Sequence, residues 1–166
     1  MPKVSYTETK GLFQESGTGI VLNGELTTPK LHGGVQREAA DAAITVGANT
    51  TLLILAADCA GGNKVVTMPA AKAGRFFKVI WEVEQASNNR VFTRVGSDQI
   101  GGNITTRVQG DAVGDGDSVA FALATATITV QDDVNIGSWL EFYCAVDGQW
   151  LVIGDLIVDV VGSVPS

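Results

Sequence analysis

Glu82 and Glu84 stand at alternate positions in Trp81-Glu82-Val83-Glu84. On an extended strand such carboxylates share one face, about 7 Å apart. Acid and base carboxylates of glycoside hydrolases stand at comparable distances, provided burial raises the pKa of one of them. A solvated strand face carries the same pattern, so spacing alone does not make the pair catalytic. A second acidic group runs from Gly110 to Asp117 and contains Asp111, Asp115 and Asp117. Ca²⁺ needs six to eight oxygens, and the twelfth position counted from Asp111 is Ala122 rather than the Glu of an EF-hand loop. This stretch reads as an Asp-Gly turn. The single histidine, His32, has no Cys or carboxylate cluster beside it for a zinc site and no G-x-S-x-G serine for a triad. Cys59 and Cys144 have neither metal-ligand nor redox spacing and read as buried apolar residues, with their pairing left open. Arg90, Arg94 and Arg107 fall opposite their strands' apolar positions. They are candidates for pairing across a subunit interface, the alternative being plain surface solvation. No catalytic, cofactor-binding or metal-binding set assembles from these residues. The expectation is a structural or binding domain rather than an enzyme.

Composition supports that expectation. The chain has 166 residues, enough for one domain with a core that needs no disulfide or metal. Charged residues make up 17%, below the usual share of about 25%, so much of the surface must be Ser, Thr, Asn and Gly or be covered by neighbours. The formal net charge of −7 argues against nucleic acid and against an anionic membrane surface as partners. The start, Met1 to Thr7, has no apolar signal core, and no run approaches the roughly 18 apolar residues of a membrane span. The chain is therefore expected to be soluble and made in cytoplasm.

The elements that must hold these residues are mostly strands. Arg75 to Glu84 alternates strictly, with Phe77, Val79, Trp81 and Val83 on one face. Trp139 to Val146 does the same, with Leu140, Phe142, Cys144 and Val146 against Trp139, Glu141, Tyr143 and Ala145. Asp147-Gly148 then signals a hairpin whose two turn positions both take positive φ, leading to Gln149–Ile153. Shorter strands are expected at Ala43–Val46, Thr51–Leu55, Lys64–Met68, Arg90–Val95, Asn103–Val108, Ser118–Leu123, Ala126–Gln131 and Leu156–Val161. Val35 to Ala43 is the one helical candidate, at most two turns. No repeat is clear enough to indicate a solenoid. Many short strands at this spacing predict an all-β antiparallel sandwich, jelly-roll-like, over residues 35–166.

Residues 1–34 lack such periodicity, apart from a short strand candidate at Gly19–Leu26. They read as an extended N-terminal arm, with a disordered tail as the alternative. Leu12, Phe13, Ile20 and Leu22 are its candidate docking residues, because apolar side chains on an arm need a surface to cover them.

Three stretches carry a resemblance. They are Val66-Thr67-Met68-Pro69-Ala70-Ala71-Lys72-Ala73-Gly74-Arg75, Gly96-Ser97-Asp98-Gln99-Ile100-Gly101-Gly102-Asn103, and Gly137 through Asp147-Gly148-Gln149-Trp150 to Gly154. In this order they resemble the β-rich virion proteins of tailed bacteriophages, notably head decoration (cement) proteins and fibre-type domains. The resemblance implies a virion location on the head surface, the major capsid protein as partner and a homotrimer on local threefold axes. It transfers no functional residues. A tail fibre or spike domain binding a host glycan or receptor is the alternative, and a carbohydrate-binding module or sandwich glycosidase using Glu82 or Glu84 is a further one.

Overall fold

The computed structural model describes residues 4–7, 11–14, 34–108 and 116–158. The chain divides into two units, Met1–Leu31 and His32–Ser166. In the first, β1 (Val4–Thr7) and β2 (Gly11–Gln14) form an antiparallel pair. The expected strand at Gly19–Leu26 lies outside the described residues. The second unit holds β3 (Gly34–Glu38), β4 (Ile44–Thr45), β5 (Thr50–Leu55), β6 (Lys64–Thr67), β7 (Arg75–Trp81) and β8 (Arg90–Thr93). These are followed by β9 (Gln99–Val108), β10 (Gly116–Thr125), β11 (Thr127–Val130), β12 (Trp139–Val146) and β13 (Gln149–Val158).

The described residues are all-β, with no helix. The helical expectation for Val35 to Ala43 is therefore corrected: its first part is β3, paired parallel with β5 from Val35–Leu52 to Glu38–Leu55. A two-turn helix spends its stability on nucleation. A strand docked on an existing sheet edge gains ladder hydrogen bonds at once.

Two mixed sheets result, one of seven strands in the order β10-β9-β13-β12-β7-β5-β3 and one of four in the order β11-β8-β6-β4. From β3 to β8 the chain alternates between them. β3, β5 and β7 stack parallel in the large sheet, while β4, β6 and β8 stack parallel in the small one. This is a short coil of successive turns, and its last full step is regular: Leu52 pairs with Lys78 and Lys64 with Arg90, each 26 positions on. The antiparallel arrangement expected from the sequence holds only for β12 beside β7 and β13, β11 beside β8, and β10 beside β9. Even β13 and β9 run parallel. Alternation of apolar and polar residues reads the same in both strand directions, so it carried no warning of this.

Other boundaries shift for local reasons. β7 ends at Trp81, so Glu82 and Glu84 leave the strand. Gln149–Ile153 and the start of Leu156–Val161 are one strand, β13, running through Gly154. A Cβ at Gly154 would stand 2.7 Å from Trp139 O, so glycine here allows close approach of β12 rather than ending the strand. The Asp147-Gly148 hairpin forms, but only Gly148 has positive φ. A register shift between Tyr143 and Val146 absorbs the difference and leaves Val146 exposed, off the apolar face assigned to it.

Facing side chains of the two sheets build one core. Phe77 and Phe142 stack at 4.6 Å, and Trp150 meets both edge-on. Across the sandwich, Phe92 of the small sheet lies 5.6 Å from Phe142 and 6.3 Å from Trp81. Gln85 is buried among them. Its Oε1 accepts from Trp81 Nε1, and its Nε2 donates to the carbonyls of Asn88, Val130 and Gln131. At one end the three stretches quoted above converge. Ala71 N donates to Asp98 Oδ2 at 2.7 Å, Gly148 N to Ala71 O at 3.0 Å, and Gln99 N to Gly148 O at 2.8 Å. Ala73 N donates to Asp147 Oδ1, and Trp150 Nε1 to Pro69 O.

Candidate functional site

The outer face of the seven-stranded sheet is the unusual surface of this molecule. The register aligns its outward residues in rows across the strands. One row is Ile54, Ile80, Trp139, Asp155, Thr105 and Ser118. The next is Leu52, Lys78, Glu141, Ile153, Asn103 and Ala120, and a third joins Phe76, Tyr143, Leu151 and Gly101. A face turned to water on a sandwich is ordinarily polar. Here Phe76, Tyr143, Leu151 and Ile153 are 36%, 39%, 46% and 45% exposed, and the first two rings lie 5.1 Å apart. Phe76, Tyr143 and Leu151 stand side by side across three strands, and Ile153 is next on the same face of β13, so this apolar exposure is contiguous.

The charges on this face are paired within it. Lys78 donates to Glu141 at 3.0 Å, and its ammonium stands 4.6 Å from the Trp139 ring. Tyr143 Oη donates to the other Glu141 oxygen. That hydrogen bond, with Lys78 behind it, holds the Glu141 carboxyl below its ordinary pKa and pushes the Tyr143 phenol up. Arg107 grips Asp155 in a two-pronged pair, with Nε to Oδ1 at 2.9 Å and Nη2 to Oδ2. This pair raises the guanidinium pKa further. Beside it, Ser118 Oγ donates to Asn103 Oδ1 at 2.6 Å. Asn103, Thr105, Arg107, Trp139 and Asp155, together with Ile153 of the apolar patch, line a shallow depression of about 450 Å³ at this end of the face.

The residues singled out from the sequence are dispersed. Leu12 and Phe13 lie on β2, opposite Tyr6 and Ser5. Ile20, Leu22, His32 and Asp111 to Asp115 lie outside the described residues. Arg90 does not face outward as expected: it is 1% exposed. It sits on the inward face of β8 with Phe92, and its Nη2 donates to Ala57 O. The inward face of β8 thus carries a cation as well as a ring, which apolar periodicity cannot register. Arg94 is half-buried and donates to Asp98 O, while Arg107 belongs to the outer face. Glu82 is paired with Arg37 at 2.7 Å, and with β7 ending at Trp81 the two glutamates share no strand face. Cys59 and Cys144 are both buried and free, and burial pushes both thiols up in pKa. Among the described residues no group of three His, Cys, Asp or Glu is placed to hold a metal ion.

Sequence reasoning passed over Trp139, Tyr143, Asn103 and Asp155. A signal for the first two was present: two aromatic residues four positions apart on the face of β12 opposite its apolar set. Nothing local could place Asp155 and Asn103 beside them. No protein-family model matches this chain, and neither a curated protein nor a solved structure matches it.

Proposed function

We propose that this chain is a non-catalytic virion protein of a tailed bacteriophage. It decorates the outside of the icosahedral head, binds the major capsid protein, self-associates as a homotrimer and clamps neighbouring capsid subunits. The observation that carries the reading is the apolar end of the large sheet's outer face, Phe76, Tyr143, Leu151 and Ile153. Among the described residues of the second unit no third layer covers that face, so another chain is the natural cover. The likeness of three stretches to decoration and fibre domains supplies the virion context. Residues 1–34, with Leu12, Phe13, Ile20 and Leu22, act as the docking arm, and Arg94 and Arg107 remain interface candidates. Arg90, a core residue, does not. Each contact is modest. Linked copies on a shell act at high effective concentration, so modest contacts sum to a stable clamp.

The aromatic character of the same face favours a second reading, a fibre or spike domain that binds a host glycan or receptor. Mixing the purified protein with undecorated heads and imaging them by electron microscopy separates the two. Under the decoration reading the heads acquire regular density. Leu151→Ser combined with Tyr143→Ser removes that density while the circular dichroism melt is retained, and deletion of residues 1–30 weakens occupancy without unfolding the body. Bare heads with the intact protein, together with binding to host cells, replace the decoration reading with the fibre one.

A further inference from the structure

Next to the apolar patch, and sharing Ile153 with it, the outer face carries a depression that adds paired polar groups to an aromatic ring. It is reached four residues along β12, from Tyr143 to Trp139. We propose that the depression there is a subsite for one pyranose ring of a neutral glycan, stacked on Trp139 and hydrogen-bonded by Arg107, Asp155 and Asn103. This holds whether the domain decorates a head or tips a fibre, and it adds to either reading a ligand class and named contacts.

Three observations converge on it. Trp81 and Trp150 are core residues, whereas Trp139 is only partly buried and lines the depression. Lys78 Nζ stands over one face of its ring, and the other residues lining the depression come from β13 and β9, across β12 from β7. The C–H face of a pyranose carries partial positive charge and complements the negative face of an aromatic ring. The Arg107–Asp155 pair supplies planar donors and acceptors side by side, already held in place. Arg107 Nη1 lies outside the pair, and a carboxylate oxygen can accept more than one hydrogen bond. Adjacent sugar hydroxyls each donate and accept, which is the pattern such a pair can meet. Asn103, fixed by Ser118, adds an amide at the rim. The pair is charge-neutral as a unit, so the site suits a neutral sugar rather than an anion or a cation.

Because the other two tryptophans are buried, acrylamide quenching of the intact protein reports on Trp139. The probes are lactose, maltohexaose and chitohexaose at millimolar concentration, with sialyllactose as the anionic comparison. At least one neutral probe is expected to protect Trp139 saturably and to shift the backbone amide resonances of Asn103 and Thr105. Arg107→Ala should weaken that binding about tenfold or more, the loss of a charged hydrogen-bonding group, with the melting temperature unchanged. For Trp139→Ala, read by the Asn103 and Thr105 resonances alone, the shifts should vanish. Absence of protection and shifts with all three neutral probes overturns the proposal. So does binding indifferent to Arg107→Ala, or preference for sialyllactose over lactose. Head binding is read in a separate assay, so failure here leaves the decoration reading intact, and the reverse.

Discussion

Arg90 shows how a single side chain departs from its sequence context. It opens β8, with Asn89 before it and Val91 after it, and the strand's pairing turns it inward, where water does not reach it. Burial pushes its pKa down, opposed by Cys59 and by the carboxylates of Asp58, Asp41 and Glu38. Only Nη2 finds a hydrogen-bond partner, while Nε and Nη1 have none. A cation held in this way contributes packing and one carbonyl contact. Arg90→Ala should therefore cost about 2–4 kcal/mol by urea denaturation, from the cavity and the orphaned Ala57 carbonyl. It should leave the sedimentation behaviour of the folded protein unchanged. Unchanged stability with lost association would return Arg90 to the interface.

Among elements, the parallel ladder between β9 and β13 makes the tightest demand. Gly102 sits in it with φ of +143°, and a Cβ there would stand 1.9 Å from Val152 O. Gly62 also has positive φ, +113°, yet a Cβ there would meet nothing within 4 Å. Comparing the two separates backbone strain from crowding. Gly62→Ala should cost about 1 kcal/mol, the strain alone. Gly102→Ala must open the ladder as well and should cost about 3 kcal/mol or more, read from equilibrium unfolding. Equal costs at the two sites would mean that β9 and β13 do not pair this closely. Most strands of the second unit were legible, β3 excepted, whereas β1 and β2 were not. β7 and β12 were visible as period-two runs, with Phe77, Val79, Trp81, Leu140, Phe142 and Cys144 facing inward as expected. Strand direction was not legible, because pairing partners 26 residues apart leave no local turn signal.

At the scale of the whole molecule, three carboxylates among the described residues tie stability to pH. Lys64 and the Gly61 amide hold Asp41 below its ordinary value, the Ala73 amide and Lys72 do the same for Asp147, and Tyr143 and Lys78 for Glu141. A folded pKa below the unfolded one means that the unfolded chain takes up more protons as acid is added. The contribution is complete above the ordinary values of 3.8 for Asp and 4.5 for Glu, and it is lost as pH falls through the depressed folded values. Tyr143, raised above 10.0, acts in the opposite sense: its contribution is present below that pH and lost above it. The melting temperature should hold a plateau between these limits and fall beyond both, with Asp147→Asn giving a shallower acid limb. A melting temperature that rises below pH 3.8 would show that these contacts are absent in solution. What the amino-acid order determined alone was where β7, β12 and most of the shorter strands of the second unit lie, which residues of β7 and of β12 as far as Cys144 face inward, and that Asp147-Gly148 turns the chain. Those follow from period-two alternation and turn chemistry, both local. The tertiary structure decided the rest: that β3 to β8 coil in parallel, that Arg90 points into the core, and that Trp139 of β12, Asp155 of β13 and Arg107 of β9 line one depression. Those depend on which strands become neighbours. That choice is made by packing two whole sheets together, and no single strand's pattern encodes it.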